Sequence, residues 1–226
     1  MRRMVAMARE DDSLDRRSRI SRAAEHLFSE RAYEAVSIRD IAADAGVNSA
    51  LIRYYFGTKD ELYRALFTDR YQVISAERMA GLTAVPDGLP ARESLRAIIR
   101  AWIAPVARLA CREGDANFLM LLARDLLRRD DEMHSGFREE LDTMALECIA
   151  ALKNCAADAT ESQVITAYTW FVSLAVNATA NRRRAARLTS SGRPEPIDET
   201  EYVDSLVAFV TPGVAAMLGL GLSTQN

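Results

Sequence analysis

The chain has 226 residues and a mass of 25.1 kDa, enough for one domain or for a small domain joined to a larger one. Hydrophobic residues make up 49% and charged residues 27% of the sequence, values that exclude the disordered, collagen-like and membrane-spanning classes. Six prolines and ten glycines are few for the many turns of an all-β protein, so the composition favours an all-α fold.

Charge and cysteine content narrow the function classes further. The net charge of -3 gives no whole-chain signal for nucleic acid, so any DNA-binding surface has to be local. Cys111, Cys148 and Cys155 show neither CxxC nor Cys/His metal spacing, and we expect no metal site and no cofactor. No apolar run is long enough for a signal peptide or a membrane span. These features predict a cytoplasmic protein with no membrane partner.

The first predicted element is a helix that starts at Asp15. Ile20, Leu27 and Phe28 belong to an apolar pattern with helical spacing that ends near Ala32. Residues 1–14 lack this periodicity, and we predict that they form a flexible arm, which could still touch DNA.

Three further helices follow, each with a recognisable boundary. Ser37 and Asp40 have the spacing of a capping box, in which a hydroxyl and a carboxylate satisfy the first amides of a helix. Gly46 can adopt the left-handed backbone angles that stop a helix, and Asn48 can cap the next one. Residues 58–61 form a second capping-box pattern. The predicted helices are therefore 37–45, 49–56 and 58–79.

The rest of the chain also has a helical pattern. Breaker residues gather at 81–90 and predict a loop. Pro105 and Pro212 fall inside predicted helices and are expected to kink or divide them, because proline lacks an amide donor and clashes with the preceding turn. A second loop is predicted at 189–196. The helices predicted here are 91–112, 115–129, 131–155, 160–181 and 199–219.

Two short helices joined by a glycine-containing turn have the form of a helix-turn-helix, whose second helix lies in the DNA major groove. Residues 20–67 also resemble the TetR-type transcriptional regulators, and the resemblance lies in SIRDIA at 37–42, AGV at 45–47 and YYFGTKDEL at 54–62. It covers about the first third of the chain. Two positions depart from the family pattern: Ala32 replaces the usual glycine, and Arg53 replaces a common tyrosine of the recognition helix.

The resemblance implies a two-domain, all-α organisation. Residues 1–14 are the arm, residues 15–66 form a three-helix DNA-binding domain with the helix-turn-helix, and residues 67–226 form a helical domain for effector binding and dimerisation.

Helical spacing assigns faces to the residues of the recognition helix. Leu51, Ile52 and Phe56 can face the core of the small domain, which leaves the others for DNA. Arg53 could donate two hydrogen bonds to a guanine, worth ~1 to 3 kcal/mol of discrimination, and a phosphate contact is the alternative. Residues at the helix ends would flank the groove and set the register. The candidate DNA-binding residues are Ser37, Arg39, Asn48, Ser49, Ala50, Arg53, Tyr54, Tyr55 and Lys59.

The two adjacent tyrosines, Tyr54 and Tyr55, have competing interpretations. At least one of them could be half-buried packing instead of a DNA contact, and the sequence favours neither reading. Tyr55 is the better candidate for a phosphate contact.

The last two predicted helices suggest a partner surface. Residues 162–180 and 199–218 carry apolar stripes wider than one small bundle can bury, and an intermolecular surface would cover them. Ordinary core packing is the alternative. The resemblance implies a homodimer built through a four-helix bundle. A two-fold dimer predicts a palindromic site in double-stranded DNA, with half-sites about 34 Å apart or a multiple of that distance.

The resemblance also implies a small-molecule effector held inside the second domain, and the sequence does not indicate which molecule. Aromatic walls with a few polar groups are typical of such sites, although each residue alone could be structural. Arg124 and Asp125 could equally belong to a solvated charged run that ends at Asp131. The candidate ligand-binding residues are Trp102, Phe118, Arg124, Asp125, Met144, Tyr168, Trp170 and Asn177.

These observations favour a sequence-specific DNA-binding transcriptional regulator, a repressor released by the effector, although activation stays open. An alternative keeps DNA binding without an effector, in a nucleoid-associated or division-linked protein. A third reading is an all-α enzyme. His26 and His134 are the two histidines, and HExxH, GxSxG and phosphate-binding glycine loops are missing from the sequence. We therefore predict no catalytic residue and no enzyme.

Overall fold

The computed structural model describes residues 2–112, 114–126, 135–182, 184, 187–188 and 198–221, without the side chains of 2–14, 69 and 135–137. Over these residues the fold is all-helical, as the composition predicts. A short 3-10 turn lies at Tyr33–Ala35. The helices are α1 (Arg2–Glu30), α2 (Ile38–Ala45), α3 (Ser49–Phe56), α4 (Lys59–Thr83), α5 (Ala91–Leu109), α6 (Ala116–Leu126), α7 (Ser135–Cys155), α8 (Glu161–Ala180) and α9 (Glu199–Met217).

The bounds of α1 and α4 differ from the predicted ones. Helix α1 begins at Arg2 instead of Asp15, and the flexibility expected of the arm stays a prediction. Helix α4 ends at Thr83, so the loop expected from residue 81 starts later. Gly81 lies against α5, where an added Cβ would come within 2.8 Å of the Ala101 Cβ. This close packing explains why the helix continues past a glycine. The loop predicted at 189–196 lies outside the described residues.

Neither internal proline divides its helix. Helix α5 continues through Pro105, and α9 continues through Pro212. Pro105 is buried, with Val106 and Ala107 buried beside it. A proline inside a helix costs about 3 kcal/mol, and apolar burial on both sides of Pro105 offsets that cost within α5.

The chain separates into two compact units, Met1–Arg70 and Tyr71–Asn226. The boundary lies within α4, slightly later than the predicted boundary after residue 66. In the part of the chain that the structure describes, no helix has both the length and the apolar character that a bilayer span requires.

The first unit is built around a core of fully buried side chains. Ile20 on α1, Ile41 on α2 and Ile52 on α3 have no exposed surface, so the three helices share one core. Aromatic residues close this core on one side, as expected of a domain too small to rely on aliphatic side chains alone. The Phe28 ring packs edge-on against Tyr63 with centroids 5.0 Å apart, and stacks on Tyr33 at 5.5 Å.

The second unit is a bundle in which α5 is central. Helix α5 packs against α7, α8 and α9, while α6 packs against α8. Its buried face includes Ile99, Trp102 and Ile103, each at most 2% exposed. Phe118 on α6 and Leu152 on α7 are also fully buried. This bundle is the larger of the two cores and contains the cavity described below.

Candidate DNA-binding surface and effector cavity

The turn between α2 and α3 is held by local hydrogen bonds and by one long-range contact. Gly46 has φ 63° and ψ 41°, the left-handed conformation that ends α2. Arg19 of α1 donates from Nη2 to the carbonyl oxygen of Ala45 at 2.6 Å and to that of Gly46 at 3.2 Å. Asn48 then caps α3 by accepting from the amide of Ala50 at 2.9 Å. The angle between the two helices is therefore set by backbone geometry and by α1.

Helix α3 has a buried face and an exposed face, as the spacing predicts. Ile52 and Phe56 are buried against the core, whereas Leu51 is half-buried. Ala50 and Arg53 are exposed, and Ser49 is half-buried at the start of the helix. The exposed side thus carries one guanidinium beside small residues, a shape that can approach the edges of bases in a groove.

The two adjacent tyrosines lie in different environments. Tyr54 is 81% exposed, whereas Tyr55 is half-buried, and their rings meet edge-on with centroids 5.2 Å apart. Tyr55 is therefore the packed member of the pair. The exposed hydroxyl of Tyr54 is the one more accessible to a nucleic acid, which reverses the preference that the sequence suggested for Tyr55.

Ser37 stabilises the start of α2. Its hydroxyl accepts from the amide of Asp40 at 3.2 Å and donates to the Asp40 carboxylate at 2.7 Å. The Asp40 carboxylate in turn accepts from the Ser37 amide at 2.9 Å, which completes the predicted capping box. These bonds from Ser37 lower the pKa of Asp40. Arg39, one residue into the helix, is exposed and is the side chain here that could reach a phosphate.

Lys59 has a packing role that the sequence does not indicate. Its ammonium group donates to the carbonyl oxygen of Tyr33 and lies 4.0 Å from the centre of the Tyr33 ring. Burial lowers the pKa of Lys59. Because this cation is already held against the aromatic cluster, a phosphate contact by Lys59 would have to compete with these interactions.

A shallow depression beside α3 includes residues that the sequence analysis missed. Arg16 and Arg19 of α1 line it together with Asn48, Ala50 and Tyr54. Both arginines lie just before the apolar pattern of α1, on its exposed side. An arginine that precedes the core-facing stripe of the first helix is the signal that could have identified them.

The second unit contains a partly enclosed cavity of about 430 Å³. Helices α4, α6, α7 and α8 contribute to its wall, and the volume falls in the range typical of small-molecule sites. The wall combines six aliphatic side chains with three charged and four hydroxyl-bearing ones. The lining residues are Tyr71, Arg78, Leu122, Leu126, Arg138, Leu141, Asp142, Ala145, Tyr168, Thr169, Val172, Ser173 and Val176.

Among the predicted ligand-binding residues, Tyr168 alone lines this cavity. Trp102, Phe118 and the acid Asp125 are buried in the core, and Arg124 is half-buried. Met144 is buried and borders a separate shallow depression. These residues therefore have packing positions instead of places on the cavity wall.

For Trp170 and Asn177 the predicted interior position is wrong. Trp170 is 64% exposed, and Asn177 is exposed on the same helix. The neighbouring positions Phe171 and Val176 face the core instead. The aromatic and polar character of Trp170 and Asn177 suggested a ligand site, but helix rotation places both on the outside.

Arg78 is among the cavity residues that sequence reasoning missed. It is 7% exposed, and its Nε donates to the carbonyl oxygen of Trp102 at 3.0 Å. Its guanidinium carbon lies 4.3 Å from the centre of the Trp102 ring. Phe67, Tyr71 and Ile74, the preceding residues on the same stripe of α4, are all buried. An arginine in register with a buried apolar stripe was the available signal.

An apolar groove runs between α8 and α9. Trp170 and Phe209 are 64% and 72% exposed, although both are large aromatic residues. Ala167 and Gly213 leave room between them, and the groove also includes Phe171, Leu174, Val210, Val214 and Met217. The groove corresponds to the wide stripes that the sequence predicts for these helices. An exposed apolar surface of this kind usually marks a contact with another protein.

Comparison with known families decides the identity of the fold. Residues 20–66 match the family model described as bacterial regulatory proteins, tetR family. Residues 100–213, half of the chain, match the model described as tetracyclin repressor-like, C-terminal domain. The chain belongs to the TetR family. The resemblance identified over the first third of the sequence therefore extends to the second unit.

Two similar regulators each match this chain over part of its length. The HTH-type transcriptional repressor Rv3405c of Mycobacterium tuberculosis is 53% identical over 47 residues, which are 21% of this chain and 25% of that protein. The HTH-type transcriptional regulator PksA of Bacillus subtilis is 30% identical over 131 residues, 58% of this chain and 62% of that protein. The chain therefore spans a quarter of the first relative and under two thirds of the second.

Solved structures share the TetR fold over nearly the whole chain. The fatty acid degradation regulator FadR from Bacillus halodurans superposes with a TM-score of 0.59 at 17% identity, covering 92% of this chain and 96% of that one. At this identity the likeness concerns the fold alone.

Ala32, which replaces the glycine usual in the family, introduces no backbone strain, because its φ of -61° and ψ of 148° are ordinary extended values.

Proposed function

We propose that this TetR-family chain is a sequence-specific transcriptional repressor that binds a palindromic site in double-stranded DNA as a homodimer and is released by a small-molecule effector. The observation that carries the proposal is α3, a capped helix that buries Ile52 and Phe56 and exposes Arg53 and Tyr54. A regulator of this kind acts in the cytoplasm, where bacterial DNA lies. The similar protein Rv3405c of Mycobacterium tuberculosis is a transcriptional repressor, which supports repression here.

The candidate DNA-binding set is revised by the surroundings of each residue. Arg39, Ala50, Arg53 and Tyr54 are exposed and are the main proposed contacts. Asn48 and Ser49 would contribute at the helix start, where backbone amides attract phosphate. The capping role of Ser37 and the packing of Tyr55 and Lys59 make these three residues positioning groups within the proposal.

The effector and dimer parts of the proposal rest on different surfaces. The cavity of about 430 Å³ supports a bound small molecule. The groove at Trp170 and Phe209 supports binding of a second copy of the chain. In such a dimer, α8 and α9 of each copy would together form a four-helix interface. With both surfaces present, the effector-independent architectural alternative is disfavoured.

Selection of genomic fragments tests the proposal. Purified protein is mixed with fragments of the source genome at near-physiological salt, and the retained DNA is sequenced. We expect one or a few palindromic sites with half-sites about one helical turn, ~34 Å, apart or a multiple of it. Dozens of dispersed sites without a shared palindrome would favour the architectural alternative, and a lack of any enrichment would contradict DNA-binding regulation.

Replacing Arg53 by alanine tests whether α3 reads bases. We expect affinity for the selected site to fall ~5- to 150-fold, since a bidentate contact to guanine is worth ~1 to 3 kcal/mol, with little change on scrambled DNA. Electrophoretic mobility shift on both DNAs measures this difference. Arg64→Ala, at an exposed arginine of α4 in the same unit, is the matched control. An equal loss on the two DNAs would assign Arg53 to phosphate instead.

A further inference from the structure

The environment of Arg78 is unusual for a buried cation. Burying a charge is costly unless a countercharge and hydrogen bonds compensate. Arg78 is 7% exposed, with a hydrogen bond to the carbonyl oxygen of Trp102 and the Trp102 ring beside it. Burial lowers the pKa of Arg78, and the groups that act on its guanidinium most strongly after burial are Tyr71, Tyr168 and Cys148. Burial raises the pKa of all three groups. They are therefore uncharged at neutral pH and supply no countercharge for the buried Arg78.

A second guanidinium lines the same cavity. The Nε of Arg138 on α7 is buried and lacks a hydrogen-bond partner among the described residues. Asp142, one turn further along α7, is the acid among the lining residues. The wall therefore carries two cations, Arg78 and Arg138, and one anion. The lining residues thus carry an excess of one positive charge, and the Nε of one of the two cations has no acceptor among the residues that the structure describes.

The rest of the wall suits an anion with an apolar body. Leu122, Leu141 and Val172 give the cavity aliphatic sides. Tyr71 and Tyr168 also face it, and burial raises the pKa of both phenols, so both hydroxyls stay protonated and can donate. An anionic group near the guanidiniums would gain charge-assisted hydrogen bonds, while the aliphatic wall would bury a hydrocarbon tail or ring.

We infer that the effector is a small organic anion whose carboxylate or phosphate group is bound by Arg78 and Arg138 while its apolar body fills the rest of the cavity. The release of DNA by this anion rests on the proposed function, but its binding does not. Guanidinium groups suit this role because they stay charged when buried and present several donors in one plane.

Matched acid and amide probes test the inference. Isothermal titration calorimetry on the full chain compares octanoate with octanamide and benzoate with benzamide, and octyl phosphate distinguishes a phosphate from a carboxylate. We expect at least one anion to bind about tenfold or more tightly than its uncharged partner, as for hydrogen bonds to charged groups. Equal affinity for acid and amide, or binding of none of the anions at millimolar concentration, would overturn the inference.

Arginine variants identify the side chains responsible. Arg78→Met should reduce the preference for the anion to less than about twofold, and Arg138→Met should reduce it in part. Arg96→Met, at an exposed arginine of α5, should leave it unchanged. Circular dichroism checks the folding of each variant. If Arg78→Met fails to fold, Arg138→Met alone decides, because an unchanged preference in either folded variant contradicts the assignment.

A separate DNA measurement distinguishes this inference from the proposed function. Mobility shift on a selected site is repeated with each anion and its amide. Anion binding by a protein that retains no DNA would overturn the regulatory function and leave the anion site standing. DNA release by acid and amide alike would overturn the anionic class and leave the regulator standing.

Discussion

Phe28→Ala is expected to lower the free energy of unfolding by ~3 to 5 kcal/mol, the range found when a buried phenylalanine is truncated. Phe28 is 2% exposed. Its ring contacts Tyr33 and Tyr63, with centroids 5.5 and 5.0 Å away. Truncation would leave a void within this aromatic cluster, in a unit of 70 residues whose whole core is small.

Urea denaturation followed by circular dichroism measures this loss of stability. Arg22→Ala, at an exposed position of the same helix, should change the free energy of unfolding by less than about 0.5 kcal/mol. DNA affinity should fall together with stability for Phe28→Ala, since the helix that carries Arg53 packs on this core. A loss below about 1 kcal/mol would mean that the cluster collapses around the void.

Phe209→Glu is expected to separate the proposed dimer into monomers. Binding to the palindromic site should weaken by ~100- to 10,000-fold, because the helix-turn-helix of the second copy would no longer be held near its half-site. Phe209 is 72% exposed, so the substitution should leave the fold of one chain intact. A buried carboxylate in the partner interface would have no countercharge to compensate its desolvation.

Analytical ultracentrifugation measures the oligomeric state, and mobility shift measures the affinity. Trp170→Glu, across the same groove, should behave alike. Val73→Glu, at an exposed apolar residue of α4 that does not line this groove, is the matched control and should remain dimeric. A dimer that survives both groove substitutions would place the interface elsewhere.

Two residues of the second unit have environments that their residue types do not predict. Trp170 and Arg78 have the opposite of their expected environments: the tryptophan is exposed and the arginine is buried. Large aromatic residues are usually buried, and arginines are usually exposed. In this chain each exception coincides with a proposed binding surface, the dimer groove for Trp170 and the effector cavity for Arg78.

The sequence by itself determined the helical class, the helix-turn-helix and the caps at Ser37, Asn48 and Thr58, because these features depend on residues within a few positions of one another. It also assigned Ile52 and Phe56 to the core, since both are in phase with one face of a short helix.

Only the tertiary structure decided which surfaces of the second unit are interior. The rotation of α8 about its own axis depends on its packing against α5, α6 and α7, and that of α4 depends on α5, where Arg78 meets Trp102. That rotation buries Arg78 and exposes Trp170. In the first unit, the tertiary structure also decided that Tyr55 is half-buried and that Lys59 packs against Tyr33, a residue 26 positions away in the sequence. Local patterns contain no information about such distant partners, so packing alone could assign these residues to core, cavity or surface.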